Sequence, residues 1–122
     1  MSLSNPSQVL LRNTELLTAQ HPLFINLPED GFIDRYLDTC QPQTISCFNT
    51  NFIDYQAINN KHQHNVRVKI PSVFSSVYSA EYHHDLVIIK FPKSKAELNF
   101  TLAMIAHCIN NTSKIVFVGN NP

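Results

Sequence analysis

A chain of 122 residues with 43% apolar and 15% charged side chains carries enough hydrophobic surface for one folded domain and too little length for two ordinary ones. Nine Lys and Arg cancel nine Asp and Glu, so no overall basic field announces nucleic acid, and any such surface must be local. Only two glycines occur, Gly31 and Gly119, which excludes the clustered-glycine loops that let backbone approach a nucleotide or a phosphate.

Cys40, Cys47 and Cys108 have no Cys-x-x-Cys spacing and read as buried, reduced thiols rather than as a disulfide framework or a thiolate zinc site. The longest apolar runs fall well short of the roughly 18 residues a membrane span needs, and no basic region followed by an apolar stretch opens the chain. The expectation is a soluble, cytoplasmic protein with no membrane partner.

In chain order, Asn5-Pro6-Ser7-Gln8 predicts a helix start, with Asn5 or Ser4 as cap and Pro6 where its missing N–H costs nothing. Val9, Leu10, Leu16 and Leu17 supply an apolar stripe, and the helix should end near Ala19, before His21-Pro22. Leu23 to Leu27, bounded by Pro22 and Pro28, suits a strand. Pro28-Glu29-Asp30-Gly31 is turn chemistry, and Phe32 to Leu37 predicts a short helix. Thr44 to Phe48 alternates with the period of a strand, while Asn51 to Asn60 fits a short helix or an ordered loop.

His64 to Ile70 alternates again, placing Val66, Val68 and Ile70 on one face and Arg67 and Lys69 on the other, so it reads as a strand closed by Pro71. Residues 72–84 show no period and read as irregular. Leu86-Val87-Ile88-Ile89 is a continuous apolar run, as in a parallel strand covered on both faces, and Ile115-Val116-Phe117-Val118 repeats it. Between them Ser94-Lys95-Ala96-Glu97 spells a capping box that opens a helix over 94–110, completing a βαβ unit. Leu98, Leu102, Ile105 and Ile109 form one apolar row of that helix. Phe100, Met104 and Cys108 form another, which is either core or a face for a partner.

His62-x-His64 and His83-His84 invite a metal reading, but no third ligand stands nearby, so they read as exposed loop or strand-end histidines. Asp85 with His84, or Glu81 with His83, would point to opposite faces of an extended segment and make no acid–base pair. No nucleophile with a partnered base emerges. Lys90, Lys93 and Lys95 cluster at the carboxyl end of a central strand, where open α/β sheets place ligands, and Arg67 and Lys69 lie on the preceding predicted strand. These five are the candidate phosphate contacts, against the plain alternative of solvated surface cations.

The stretches PSQVLLRN, DLVIIKFPKSKAELNFTLAMIAHCI and KIVFVGNN resemble the N-terminal domain of the ribosomal RNA small subunit methyltransferase C family, whose members methylate the N2 amino group of a guanine. The resemblance is strongest from Asp85 to Gly119. It implies two methyltransferase-like domains in tandem. The C-terminal copy binds S-adenosylmethionine and carries an Asn-Pro-Pro-aromatic motif after its fourth strand. The N-terminal copy has the same sheet-and-helix pattern, no cofactor site, and a role in folding the catalytic domain and holding the RNA. Phe91-Pro92-Lys93-Ser94 stands here in place of the catalytic motif, and Asn121-Pro122 reads as a coincidental partial match.

The expected fold is therefore α/β, a Rossmann-like three-layer sandwich with a mostly parallel sheet and no cofactor loop. Residues 1–122 form one non-catalytic domain, either cut from a longer enzyme or the product of a truncated gene. Catalytic, cofactor and metal residues are expected to be none, with S-adenosylmethionine confined to the parent enzyme's C-terminal domain. The expected partners are 16S ribosomal RNA or the small ribosomal subunit and the chain's own catalytic domain. The alternative is a protein-interaction or dimerisation module that uses Phe100, Met104 and Cys108.

Overall fold

The computed structural model describes residues 3–80 and 83–119. Its centre is the uninterrupted apolar run Leu86-Val87-Ile88-Ile89, every residue of which is buried, each contributing about 1.5–3 kcal/mol of hydrophobic stabilisation. This run belongs to β4 (Leu86–Lys90), which lies between β1 (Pro22–Ile25) and β5 (Lys114–Val118). Beyond β1 come β2 (Ser46–Asn49) and β3 (Ser72–Phe74), giving the order β3-β2-β1-β4-β5 with every pairing parallel. A parallel sheet must be covered on both faces, which is why its inner strands read as continuous hydrophobic runs.

One face packs Phe24, Cys47, Leu86 and Ile88 against α1 (Asn5–Leu11), α2 (Phe32–Cys40) and α3 (Phe52–His62), with Leu10, Phe32, Tyr36 and Ile58 as the helical contributions. The other face packs Leu23, Ile25, Phe48, Val87 and Ile89 against Tyr78 and α4 (Lys95–Ile105). The result is the expected three-layer α/β sandwich. Asp85 ties its lower rim together, its carboxylate accepting from the N–H groups of Gln20 (2.8 Å) and His21 (2.9 Å) just before β1.

Several boundaries differ from the sequence expectation, each for a local reason. The first helix stops at Leu11 rather than near Ala19, because Asn13 leaves the helical region and its amide donates back to the Val9 carbonyl; a single 3-10 turn, Thr14–Leu16, follows. Ser4 is the cap, accepting from Ser7 N–H. β1 ends at Ile25 because Asn26 turns left-handed at φ 59°. The second helix runs on to Cys40, and Asn51–Asn60 resolves as helix, capped by Asn51.

The strand predicted over His64–Ile70 is overturned. The Asn65 side chain accepts from the N–H groups of Arg67 (2.8 Å) and Val68 (3.2 Å), folding the backbone into a turn, and Val66 projects into solvent at 99% exposure. The edge strand is instead Ser72–Phe74, within the stretch read as irregular. The helix after β4 ends at Ile105, not at residue 110, and its inward side lies between the two predicted rows: Thr101, Met104 and Ile105, continued by Cys108 in the following turn, are buried. Met104 and Cys108 therefore belong to this chain's own core and do not form a face left for a partner; only Phe100 of that row is exposed.

Candidate functional site

In an open parallel sheet the ligand crevice lies outside the carboxyl ends of the strands, at the point where strand order reverses. Here that point falls between β1 and β4, whose ends lie side by side through the pairing of Ile25 with Ile89. A cleft of about 290 Å³ opens there. Asn26 lines it from β1, and Thr50, Asn51 and Asp54 from the end of β2 and the start of α3. Lys90, Phe91, Pro92 and Lys93 line it from the end of β4, and Glu97 from the first turn of α4. A larger hollow of about 360 Å³ lies beside the end of α3 and residues 68–72, toward the amino ends of β2 and β3, where this architecture does not place ligands.

The cleft walls are held by polar side chains at each strand end. Asn26 Oδ1 accepts from the N–H (2.9 Å) and hydroxyl (3.3 Å) of Thr50, tying the end of β1 to that of β2. Its left-handed backbone suits asparagine, which tolerates that region better than most residues. Asn51 caps α3 by accepting from Asp54 N–H at 3.0 Å, and Ser94 caps α4 by accepting from Glu97 N–H at 3.1 Å. Both cleft carboxylates thus stand at the third position of a capped helix, favoured there by the helix dipole. Phe91 is 57% exposed at the mouth, backed by the Phe117 ring at 5.5 Å and anchored by its N–H to the Val118 carbonyl.

Beside the cleft, the turn between β1 and α2 is closed by the chain's own carboxylates. Glu29 Oε2 accepts from Gly31 N–H at 2.9 Å, and Asp30 Oδ1 from Phe32 N–H at 3.1 Å. Asp30 Oδ2 also accepts from Ser4 N–H (2.9 Å) and the Ser7 hydroxyl (2.7 Å). Burial by itself would raise both acids. Hydrogen bonds from His62 and Gly31 together with the Lys61 charge outweigh it for Glu29, and hydrogen bonds from Ser4, Ser7 and Phe32 do so for Asp30, so both carboxyls titrate below their ordinary range. Gly31 is needed here, since its φ of 95° is strained for any residue with a Cβ.

The predicted site residues separate into groups. Lys90 and Lys93 meet in the cleft, while Lys95 opens α4 next to it. Arg67 and Lys69 are elsewhere: Lys69 bridges Thr44 at the amino end of β2, and Arg67 is held by Asp34 and Asp38 of α2. The five cations therefore do not form one surface.

The histidine expectation is also corrected in part. His62 is buried, its Nε2 donating to Glu29 at 2.7 Å, and His84 is buried with Nδ1 donating to the His21 carbonyl (2.8 Å) and Nε2 accepting from the Tyr78 hydroxyl (2.7 Å). Burial lowers the His84 pKa. Among the described residues no cluster of three His, Cys, Asp or Glu side chains could hold a metal, and no helix is long and apolar enough to cross a membrane. Glu81 and Asn121-Pro122 lie outside the described residues.

Sequence reasoning missed Asn26, Thr50, Asn51 and Asp54 as cleft residues. The Asn51-x-x-Asp54 cap was a readable signal, but only the parallel register brings it beside Lys90.

Comparison with known proteins gives the family and the fold. Residues 7–122 match the family described as "Methyltransferase small domain N-terminal". The chain is 66% identical over 120 residues to the ribosomal RNA small subunit methyltransferase C of Colwellia psychrerythraea, covering 98% of this chain and 34% of that protein. It is 30% identical over 119 residues to its counterpart in Pseudoalteromonas translucida, with 98% and 33% covered, and 29% identical over 116 residues to that of Vibrio parahaemolyticus, with 95% and 32% covered. The chain spans about a third of the length of these relatives.

Among solved structures, coclaurine N-methyltransferase bound to N-methylheliamine and SAH superposes with a TM-score of 0.69 at 6% identity, over 91% of this chain and 34% of that one. N-methyltransferase NodS from Bradyrhizobium japonicum superposes at 0.67 and 10% identity, over 93% and 68%. Such likenesses carry the fold alone. With the match running through nearly the whole sequence, the chain belongs to the family of N-terminal domains of small-domain methyltransferases.

Proposed function

We propose that this chain is the non-catalytic, methyltransferase-like N-terminal domain of a cytoplasmic ribosomal RNA guanine-N2 methyltransferase, and that it docks the RNA substrate and supports folding of a separate catalytic domain that binds S-adenosylmethionine. The observation that carries the reading is the closed turn after β1. The N-terminus of the helix after the first strand is where this architecture receives a ligand's anionic group. Here Glu29 and Asp30 already accept from Gly31 and Phe32 N–H, so an incoming carboxylate or phosphate would meet two negative charges. At the end of β4, Phe91-Pro92-Lys93-Ser94 offers no asparagine amide to orient an amino group. The names of the relatives support the ribosomal RNA assignment.

Isothermal titration of the chain with S-adenosylmethionine should give no saturable heat. Micromolar binding would refute the non-catalytic reading. Binding of a ribosomal RNA fragment should be measurable and should weaken steeply with salt.

A second reading, docking on another protein surface, is favoured by a different feature from the one the helical rows suggested. Phe52 (50% exposed) and Phe74 (48% exposed) stack with Tyr55 at ring separations of 5.3–6.0 Å on the outer edge of the sheet. Exposed apolar clusters of this kind mark interaction sites. Sedimentation at several concentrations separates the readings, since self-association that disappears in Phe74→Ser would assign the cluster to protein contact.

A further inference from the structure

The charges of the cleft differ from those elsewhere on the surface. On the α2–α3 flank Lys61 pairs with Glu29 and Asp34, and Arg67 with Asp34 and Asp38. In the cleft two acids, Asp54 and Glu97, and two bases, Lys90 and Lys93, converge on one hollow, yet none of the four is in an ion pair among the described residues. Opposite charges that share a cleft without pairing are available to a ligand that needs both.

We propose that the cleft is a nucleobase pocket that selects an unstacked guanine of single-stranded RNA; the inference rests on the RNA-docking reading above. A carboxylate only accepts, through two oxygens side by side, so it complements an edge presenting two adjacent N–H donors. Among the four RNA bases only guanine does so, with N1–H next to the N2 amino group. Adenine and cytosine place an acceptor beside their amino group, and uracil sets one N–H between two carbonyls. Phe91 supplies the stacking face that single-stranded RNA recognition uses, held in place by Phe117 behind it. Lys90 and Lys93 line the same cleft and supply the cations that the phosphates flanking an inserted nucleotide require. A volume of about 290 Å³ lies at the small end of the range for small-molecule sites, in keeping with one nucleoside.

The helix dipole already accounts for acids at these two helix starts. It does not account for their meeting in one cleft with an exposed aromatic ring and two unpaired lysines. Both helices are capped through backbone N–H groups at these positions, so neutralising the side chains leaves the caps in place.

The test measures binding of the 122-residue chain to end-labelled short oligouridylates that are plain or carry a single central G, A or C, by fluorescence anisotropy. The G oligomer should bind on the order of tenfold more tightly than the other three, the gain expected of one good bidentate base contact. Asp54→Asn and Glu97→Gln together should remove that ratio, and Phe91→Ala should weaken all four oligomers, with circular dichroism showing each variant folded. The ratio is the readout because removing acids also lessens repulsion of phosphate. Equal binding of all four, or a guanine preference that survives the double substitution, overturns the pocket and leaves RNA docking standing. Failure to bind any of them overturns both.

Discussion

Replacing Asp30 by Ala removes the carboxylate that joins the first helix, the β1–α2 turn and the start of α2. Three bonds are lost, to Ser4 N–H, Ser7 hydroxyl and Phe32 N–H, all to a charged acceptor. Phe32 N–H is buried and has no replacement, which costs about 1–3 kcal/mol, and loss of the negative charge at the helix start adds about 0.3–1 kcal/mol. The Ser7 hydroxyl can turn toward Ser4 Oγ at 3.2 Å, and Ser4 N–H near the chain start can rehydrate, so these two together cost only about 1 kcal/mol. The sum is about 2–5 kcal/mol, a large part of the roughly 5–15 kcal/mol stability of a typical domain.

Urea unfolding followed by far-ultraviolet circular dichroism should show a lowered midpoint at unchanged slope, and thermal unfolding should fall by about 10 °C. Asp30→Asn keeps an acceptor for Phe32 but sets an amide against Ser4 N–H, so it should lose less, about 1–2 kcal/mol. A loss under about 1 kcal/mol for Asp30→Ala, or an equal loss for both variants, would refute the view that this carboxylate fastens the turn.

Other expectations follow from the same contacts. Glu29 and Asp30 titrate below their ordinary values of 4.5 and 3.8, so the stability they add is complete above those values and drains away as pH falls through the lower folded ones. His84 acts in the same direction but sooner. Its pKa is lowered by burial, so below its ordinary 6.5 the unfolded chain takes up a proton the folded one refuses, and urea midpoints should begin to drop below that pH. A midpoint flat from pH 7 to 4.5 would contradict the histidine assignment, and one flat below pH 4 would contradict the carboxylate assignment. Burial pushes the Cys47 thiol up to about 12, and Cys40 and Cys108 are raised as well, so an aromatic disulfide reagent at pH 8 should label none of the three until urea unfolds the chain. Rapid labelling of Cys47 would place it outside the core. Lys93→Ala with Lys95→Ala should reduce the salt slope of RNA binding by about one for each lysine that touches phosphate, and an unchanged slope would remove both from the interface.

Consecutive residues were enough to announce the local elements. The unbroken run at Leu86–Ile89 announced a strand covered on both faces, and Ser94-Lys95-Ala96-Glu97 announced a helix start, because burial on two sides and backbone capping are written in consecutive residues. With two glycines far apart, the chain cannot spell a clustered-glycine loop, which is a fact of composition alone. Where local pattern and tertiary contact competed, contact won. The alternation at His64–Ile70 was real, but Asn65 bent the backbone and Asp34 and Asp38 drew Arg67 away, while the edge strand fell to Ser72–Phe74.

The candidate site was half legible. Lys90 and Lys93 were found because a central strand ends beside them; Asn26, Thr50, Asn51 and Asp54 were not, because they come from other strand ends tens of residues away and meet the lysines only through parallel register. The same holds for the helix after β4. Its two apolar rows are present in the sequence, but which arc is buried depends on where the sheet lies, and the sheet is assembled from strands distant in the chain. Periodicity identifies an amphipathic or apolar element; only packing decides which of its faces water still reaches.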